Sequence, residues 1–133
     1  MVKKPSTVYV IDDDESVRKA FTRLLRSANI NVRTFSSTRE FLESPKVDTG
    51  ACIVMDIRMP DESRFEDQDR LAASRVALPV VVVSASDEAV IREQAHALGA
   101  VGFFRKPVDD QALLDAISWA ISEAHETRKK TDT

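Results

Sequence analysis

The chain has 133 residues and a formal net charge of −3, with 43% apolar and 31% charged residues. This length suits one domain that buries roughly two-thirds of its unfolded surface. The slightly acidic charge gives no indication of nucleic acid or an anionic membrane as a partner. The single cysteine, Cys52, excludes an internal disulfide and lies in an apolar run, so we interpret it as a core residue. No apolar stretch reaches transmembrane length and no signal-peptide region is recognisable, so we expect a cytoplasmic protein.

Five short runs have the composition of β-strands. The first, third and fourth are almost continuously apolar, which is typical of parallel strands buried on both faces. The second alternates between apolar and polar residues, as an edge strand does. The predicted strands are 7–11, 31–35, 51–55, 80–83 and 101–104.

The first two predicted helices have recognisable ends. Asp14 and Glu15 favour a helix start after the first strand, and apolar residues then recur at helical spacing until Asn29. Ser36 or Ser37 can cap a short second helix, which Pro45 ends.

The remaining helices differ in the strength of their pattern. The stretch 62–75 has only a thin apolar stripe, whereas 87–98 is a clear helix that Gly99 ends. Asp109 or Asp110 can cap the last helix. We place one domain at 6–124 and a polar, fraying C-terminal tail at 125–133.

Strands that alternate with helices predict an α/β fold, a parallel sheet with helices on both faces. The most apolar strands should be central, which matches the strand order 2-1-3-4-5. In such a sheet the topological switch point lies between strands 1 and 3, and ligands bind at the carboxyl ends of the strands.

Polar side chains stand at these carboxyl ends. Asp12 and Asp13 follow strand 1, Asp56 follows strand 3, Ser84 follows strand 4 and Lys106 follows strand 5. Neighbouring strands are about 5 Å apart, so we expect the three carboxylates to converge beside a hydroxyl and an ammonium. Converging carboxylates need a cation. Oxygen ligands alone, with no cysteine or histidine placed to help, favour Mg²⁺.

The chemistry of this set points to phosphoryl transfer. Asp12 and Asp13 are best suited to hold the metal, and Asp56 is the separate carboxylate that can attack phosphorus. Lys106 would bind phosphoryl oxygens as a point charge, and the Ser84 hydroxyl would donate a hydrogen bond to one of them. Each residue alone has an ordinary interpretation as a cap, turn or surface residue, and it is their common position that favours a site.

Several motifs together resemble the receiver domain of bacterial two-component response regulators, most closely the FixJ/NarL type. The resemblance covers residues 6–124 and implies a flavodoxin-like (βα)5 three-layer sandwich. The motifs are Asp12-Asp13, Asp56 with Met59-Pro60, Ser84-Ala85, Gly99-Ala100 and Lys106-Pro107.

The resemblance also implies the roles of individual residues. A histidine kinase or histidine phosphotransfer protein would donate its phosphoryl group to Asp56 with Mg²⁺ bound by Asp12, Asp13, Asp56 and the backbone carbonyl of Arg58. Ser84 and Phe103 would form a switch pair, and a cis peptide would join Lys106 to Pro107.

The implied output is a change of surface in a phosphoacceptor signalling domain, with phosphotransfer and autodephosphorylation as its activities. Phosphorylation would draw Ser84 toward the phosphoryl group and turn Phe103 inward. The face formed by the helix at 87–98 and the fifth strand would then change for a downstream protein or domain. A phosphorylation-dependent homodimer is also among the implied partners.

Two positions depart from the family pattern. Arg64 stands where family members usually carry glycine, and Asp67 where they carry an apolar residue, which puts the geometry of 57–70 in doubt. Arg58 and Ser86 occupy variable positions that control access of water, and we predict that they set the lifetime of the phosphoaspartate.

Other protein classes fit less well. A flavodoxin-like electron carrier needs a phosphate loop after strand 1, where this chain is acidic. An aspartyl-phosphate phosphohydrolase usually has a second acid two residues after the nucleophile, where this chain has Arg58. No P-loop lysine motif and no basic DNA-binding helix pair is present. Whether the chain is a stand-alone receiver or part of a longer DNA-binding regulator stays open.

Overall fold

The sheet is parallel throughout and its strands lie in the order β2-β1-β3-β4-β5, as the sequence predicts. The computed structural model describes residues 6–44, 51–57 and 78–131, with side chains described as far as residue 123. The strands are β1 (Thr7–Ile11), β2 (Asn31–Phe35), β3 (Ala51–Asp56), β4 (Val80–Ser84) and β5 (Gly102–Arg105).

Four helices accompany the strands in the described part of the chain: α1 (Glu15–Ser27), α2 (Thr38–Glu43), α3 (Ala89–Ala97) and α4 (Asp110–Thr131). The weakly patterned helix predicted at 62–75 lies outside the described residues. Helix α4 continues to Thr131, so the segment for which the sequence predicts a fraying tail is largely helical. The domain boundary at residue 124 stays a prediction. Across the described helices, none is both long and apolar enough to cross a membrane.

The helix ends follow the local signals in the sequence. Asp14 caps α1 by accepting a hydrogen bond from the Ser16 N–H, and of the two candidate serines it is Ser37 that caps α2. Asn29 and Gly99 both have positive φ, 62° and 71°, and each directly follows the C-cap residue of its helix. Asn and Gly are the residues that adopt this left-handed conformation most readily, which is why the chain can turn there.

Each face of the sheet packs against helices through its own hydrophobic cluster, so the structure has three layers. One cluster joins the side chains of one face to α2 and α3 through Phe41, Ile91 and Ala95. The other joins the opposite face to α1 and α4 through residues that include Leu25 and Ile117. Burial on both faces explains the unbroken apolar runs of the central strands. The polar residues that follow these strands lie at the carboxyl edge of the sheet.

Candidate functional site

The turn from β1 into α1 fixes Asp12 at the carboxyl edge of the sheet. The Asp12 N–H donates to the Phe35 carbonyl at 3.1 Å, which extends the strand pairing one residue past Ile11. The Asp12 Oδ1 accepts a hydrogen bond from the Asp14 N–H at 2.9 Å. The Asp12 residue is 3% exposed, whereas its neighbour Asp13 is exposed. The sequence Asp-Asp-Asp thus divides into a buried acid, an exposed acid and a helix cap.

Asp56 ends the adjacent strand β3 and completes an acidic pocket. Its side chain is 4% exposed, and its Cα pairs in register with Val83 of β4. One carboxylate oxygen each from Asp12, Asp13 and Asp56 lies within 4.8 Å of the other two. The predicted convergence of these three side chains is confirmed.

Lys106 brings a positive charge into the pocket from the end of β5. Its Nζ lies 3.1 Å from Asp12 Oδ2 and 3.4 Å from Asp56 Oδ1, and its side chain is 22% exposed. The Lys106 N–H donates to the Ser84 carbonyl at 2.7 Å, and the Lys106-Pro107 peptide is cis, as expected. The ammonium therefore joins the acids of two strands.

Burial raises the pKa of Asp12 above its ordinary value of 3.8, and the nearby negative charge of Asp56 adds to this effect. The Asp14 N–H and the Lys106 ammonium act in the opposite direction and lower the pKa. The net upward direction shows that Lys106 and the hydrogen bond offset only part of the cost of holding a buried carboxylate beside another. An additional positive charge at this pocket would be stabilising.

The donor set fits Mg²⁺. The cluster consists of carboxylate oxygens only, and hard oxygen ligands with a few carboxylates are what this ion prefers. The raised pKa of Asp12 adds a physical reason for a cation, since Lys106 compensates the carboxylates incompletely. Such an acidic triad is typical of the receiver Mg²⁺ site.

The Ser84 hydroxyl lies in the same region but is engaged elsewhere. Ser84 is buried; its Oγ donates to the Ile57 carbonyl at 2.6 Å and accepts from the Ser86 N–H at 3.2 Å. The Ser86 Oγ in turn accepts from the Glu88 N–H at 3.2 Å. To reach a phosphoryl oxygen, the Ser84 hydroxyl would have to leave the Ile57 carbonyl.

The other predicted site residues divide into described and undescribed ones. Phe103 lies on β5, is half-buried and packs against the cluster that α2 and α3 form with the sheet. Arg58, the expected carbonyl ligand, lies outside the described residues, as do Arg64 and Asp67.

One contact at the site was not predicted from the sequence. The Arg18 Nη1 on α1 donates to the Asp12 carbonyl at 2.7 Å and so holds the backbone of the buried acid. Helical spacing places Arg18 away from the apolar stripe of α1. Arg18 lies one turn into a helix that starts beside the pocket, so its long side chain can reach the end of β1. This proximity in the sequence is the feature from which the contact could have been predicted.

Comparison with known proteins agrees with the geometry. Residues 8–118 match the family model of the response regulator receiver domain. The transcriptional regulatory protein TdiR of Thauera aromatica is 39% identical over 125 residues, which cover 94% of this chain and 55% of TdiR. The transcriptional regulatory protein FixJ of Bradyrhizobium diazoefficiens is 33% identical over 122 residues, covering 92% and 60% respectively.

A solved structure of the response regulator StyR matches with a TM-score of 0.82 and 38% identity, over 97% of this chain and 65% of that one. The chain spans a little over half the length of the curated relatives that it matches. These matches confirm the family that the sequence motifs indicated. The chain belongs to the response regulator receiver domains, the phosphoacceptor modules of two-component signalling, and its relatives include regulators of the FixJ type.

Proposed function

We propose that this receiver accepts a phosphoryl group onto Asp56 from the phosphohistidine of a histidine kinase or histidine phosphotransfer protein. The observation that carries the proposal is the position of Lys106 Nζ between Asp12 Oδ2 and Asp56 Oδ1, at 3.1 and 3.4 Å. A cation that contacts both a metal-binding acid and the acceptor can also contact the oxygens of a phosphoryl group on Asp56.

In the proposed reaction, a carboxylate oxygen of Asp56 attacks phosphorus and forms a P–O bond. The P–N bond to the donor imidazole breaks, and the leaving nitrogen keeps the electron pair and takes up a proton from solvent. Mg²⁺, held by Asp12, Asp13, Asp56 and the Arg58 carbonyl, would supply positive charge against the phosphoryl oxygens when bound. The Lys106 ammonium adds charge to the same oxygens, and Arg18 keeps the Asp12 backbone in place.

The proposed switch begins at Ser84. Its hydroxyl would exchange the Ile57 carbonyl for a phosphoryl oxygen, and Phe103 would turn inward in response. The surface of α3 and β5 would then present a different shape to an output protein or domain, or to a second copy of the chain. The proposal includes a cytoplasmic location. It includes no direct binding of nucleic acid by this chain.

Arg58 and Ser86 are proposed to tune how long the phosphoaspartate survives. The hydrogen bond from the Ser86 N–H to Ser84 Oγ, and the half-buried position of Ser86, support this role. Replacing both residues should change the rate of phosphoaspartate decay, and an unchanged rate would refute this part of the proposal.

A second candidate is that the chain acts as the receiver part of a longer DNA-binding transcriptional regulator. The matched relatives TdiR and FixJ are named transcriptional regulatory proteins, and the chain covers only 55% and 60% of them.

Light scattering with and without beryllofluoride and Mg²⁺ distinguishes self-association from binding of a different partner as the output of this chain. A phosphoryl mimic that raises the mass to that of a dimer favours self-association, and an unchanged mass favours a different partner.

The test of the phosphoacceptor compares two isosteric variants, Asp56→Asn and Asp14→Asn. Asp14 is a neighbouring acid outside the cluster of ligand oxygens, and asparagine preserves its role as a helix cap. We expect uptake of label from a phosphorylated donor to require Mg²⁺, to disappear in Asp56→Asn and to persist in Asp14→Asn. Uptake by Asp56→Asn at the normal rate would refute the proposal.

A further inference from the structure

The guanidinium group of Arg92 lies over the ring of Phe103. Its Cζ is 5.0 Å from the ring centroid, which is within the range of a cation–π contact. Phe103 is half-buried against the core, and Arg92 is exposed on α3. The aromatic ring is thus in contact with core side chains and also with a cation at the protein surface.

Asp87 anchors this cation to the loop between β4 and α3. The Arg92 Nε donates to the Asp87 carbonyl at 3.2 Å, which fixes the guanidinium at one edge while its Cζ lies over the ring. The Asp87 Oδ2 also pairs with Arg105 Nη1 of β5 at 3.6 Å. Phe103 and Arg105 are two residues apart in the strand and therefore share one side of the sheet. Asp87 therefore contacts both Arg92 and Arg105.

The same loop is attached to Ser84. The Ser84 Oγ accepts the Ser86 N–H at 3.2 Å while donating to the Ile57 carbonyl. If Ser84 moves, this hydrogen bond is lost as well, and the backbone that leads to Asp87 is no longer held by it. Since the Arg92 Nε to Asp87 carbonyl distance is already 3.2 Å, near the long end for an N–H donor, a small shift would release the guanidinium.

We propose that Arg92 is a positioning residue that holds Phe103 in its unphosphorylated arrangement and so sets how readily the receiver switches. The inference rests on the proposed function for the roles of Ser84 and Phe103. Phosphorylation would displace the loop between β4 and α3 and weaken the hydrogen bond from Arg92 to the Asp87 carbonyl. The Phe103 ring could then turn inward. For an exposed cation–π contact the expected shift in the switching equilibrium is about two- to fivefold.

Three variants test this proposal. Arg92→Gln removes the cation and keeps most of the stem, whereas Arg92→Lys keeps a cation and should largely preserve the wild-type behaviour. Arg39→Gln makes the same change of charge at an exposed position on α2 and serves as the matched control. Thermal melts followed by circular dichroism verify that each variant is folded.

The readout is the ¹⁹F resonance of a fluorinated phenylalanine incorporated at position 103 only. In the unphosphorylated protein, Arg92→Gln should move this resonance toward the position that it takes in the wild type saturated with beryllofluoride and Mg²⁺. Half-saturation by beryllofluoride should fall by about two- to fivefold. Arg92→Lys should stay close to the wild type, and Arg39→Gln should not differ from it.

The outcomes separate the inference from the function on which it rests. A normal wild-type response to beryllofluoride that Arg92→Gln leaves unaltered would overturn the role of Arg92 alone. Arg92→Lys behaving like Arg92→Gln would also overturn it, because the cation would not be the cause. A wild-type resonance that does not respond to beryllofluoride would contradict the proposed switch itself.

Discussion

The Lys106 ammonium lies between acids from two strands in one pocket. Lys106 contacts Asp12 and Asp56, yet burial still raises the pKa of Asp12. The pocket is therefore partly compensated without a metal, and in the proposed function the same lysine binds the transferred phosphoryl group. Because Lys106 has both roles in this account, its replacement should affect phosphorylation and Mg²⁺ binding differently.

Replacing Lys106 with glutamine should slow phosphorylation by acetyl phosphate about 100-fold, the usual effect of removing one donor from developing negative charge. Binding of Mg²⁺ should not weaken, because the ammonium that competes for Asp12 and Asp56 is gone. Initial rates measured across a series of Mg²⁺ concentrations separate the two effects. Lys19→Gln, which removes an exposed lysine that pairs with Glu15 across one helical turn, should leave the rate unchanged. Equal rates in both variants would contradict this role.

At the scale of elements, α2 depends on reciprocal capping contacts. The Glu40 N–H donates to Ser37 Oγ at 3.1 Å, and Glu40 Oε2 accepts from the Ser36 N–H at 3.0 Å and the Ser36 hydroxyl at 2.6 Å. This is a variant of the capping box in which the glutamate reaches one residue further back than usual. The hydrogen bonds from Ser36 lower the pKa of Glu40 below its ordinary 4.5.

The lowered pKa of Glu40 predicts a pH-dependent contribution to stability. The contribution is fully present above the ordinary pKa and is lost as pH falls through the lowered value in the folded protein. Because the side chain is exposed, Glu40→Gln should cost only about 0.5 kcal/mol of unfolding free energy near neutral pH. Urea titrations at several pH values should show this difference vanish in acid.

The end of α3 provides a second test at this scale. Gly99 has φ 71°, and nothing lies within 4 Å of the position that a Cβ would take. Gly99→Ala should therefore cost about 1–2 kcal/mol through backbone conformation alone. At Gly102 a Cβ would make only ordinary contacts, the nearest at 3.6 Å, so Gly102→Ala should change stability by less than about 0.5 kcal/mol. Equal losses in urea unfolding would contradict this reason.

At the scale of the whole molecule, the burial of Cys52 offers a reporter of global unfolding. Cys52 is fully buried in β3, and desolvation raises the pKa of its thiol to about 12. The native thiol should resist alkylation, because little thiolate exists at pH 8 and the reagent cannot reach it. The fraction labelled in a denaturant series should follow the unfolding curve measured by circular dichroism. Native labelling as fast as that of the unfolded chain would show that the sheet opens locally at β3.

The sequence was sufficient for features set by local pattern and topology. Continuous apolar runs identified the central strands, and the strand order then brought Asp12, Asp13, Asp56 and Lys106 to one edge. Boundaries were less certain: α3 begins at Ala89 where 87 was predicted, and β5 is displaced by one residue from the prediction. Helix ends depend on caps and packing that neighbouring residues can supply almost equally well.

Features set by tertiary contacts could not be predicted in the same way. The choice of the Ile57 carbonyl by the Ser84 hydroxyl depends on a rotamer that only the folded neighbourhood decides. The same holds for Arg18 on the Asp12 carbonyl and for Arg92 over Phe103, since several long side chains could have reached each partner. These three contacts are therefore known from the structure and not from the sequence.

The central claim is that Asp56, of the three clustered acids, becomes the acyl phosphate. Incubating the protein with a phosphohistidine donor and Mg²⁺, reducing it with borohydride and sequencing its peptides by mass spectrometry reads the site directly, because an aspartyl phosphate is reduced to homoserine. The account predicts homoserine at position 56 only, and none when Mg²⁺ is removed. Homoserine at position 12 or 13, or at no position with a donor that loads another receiver, would contradict it.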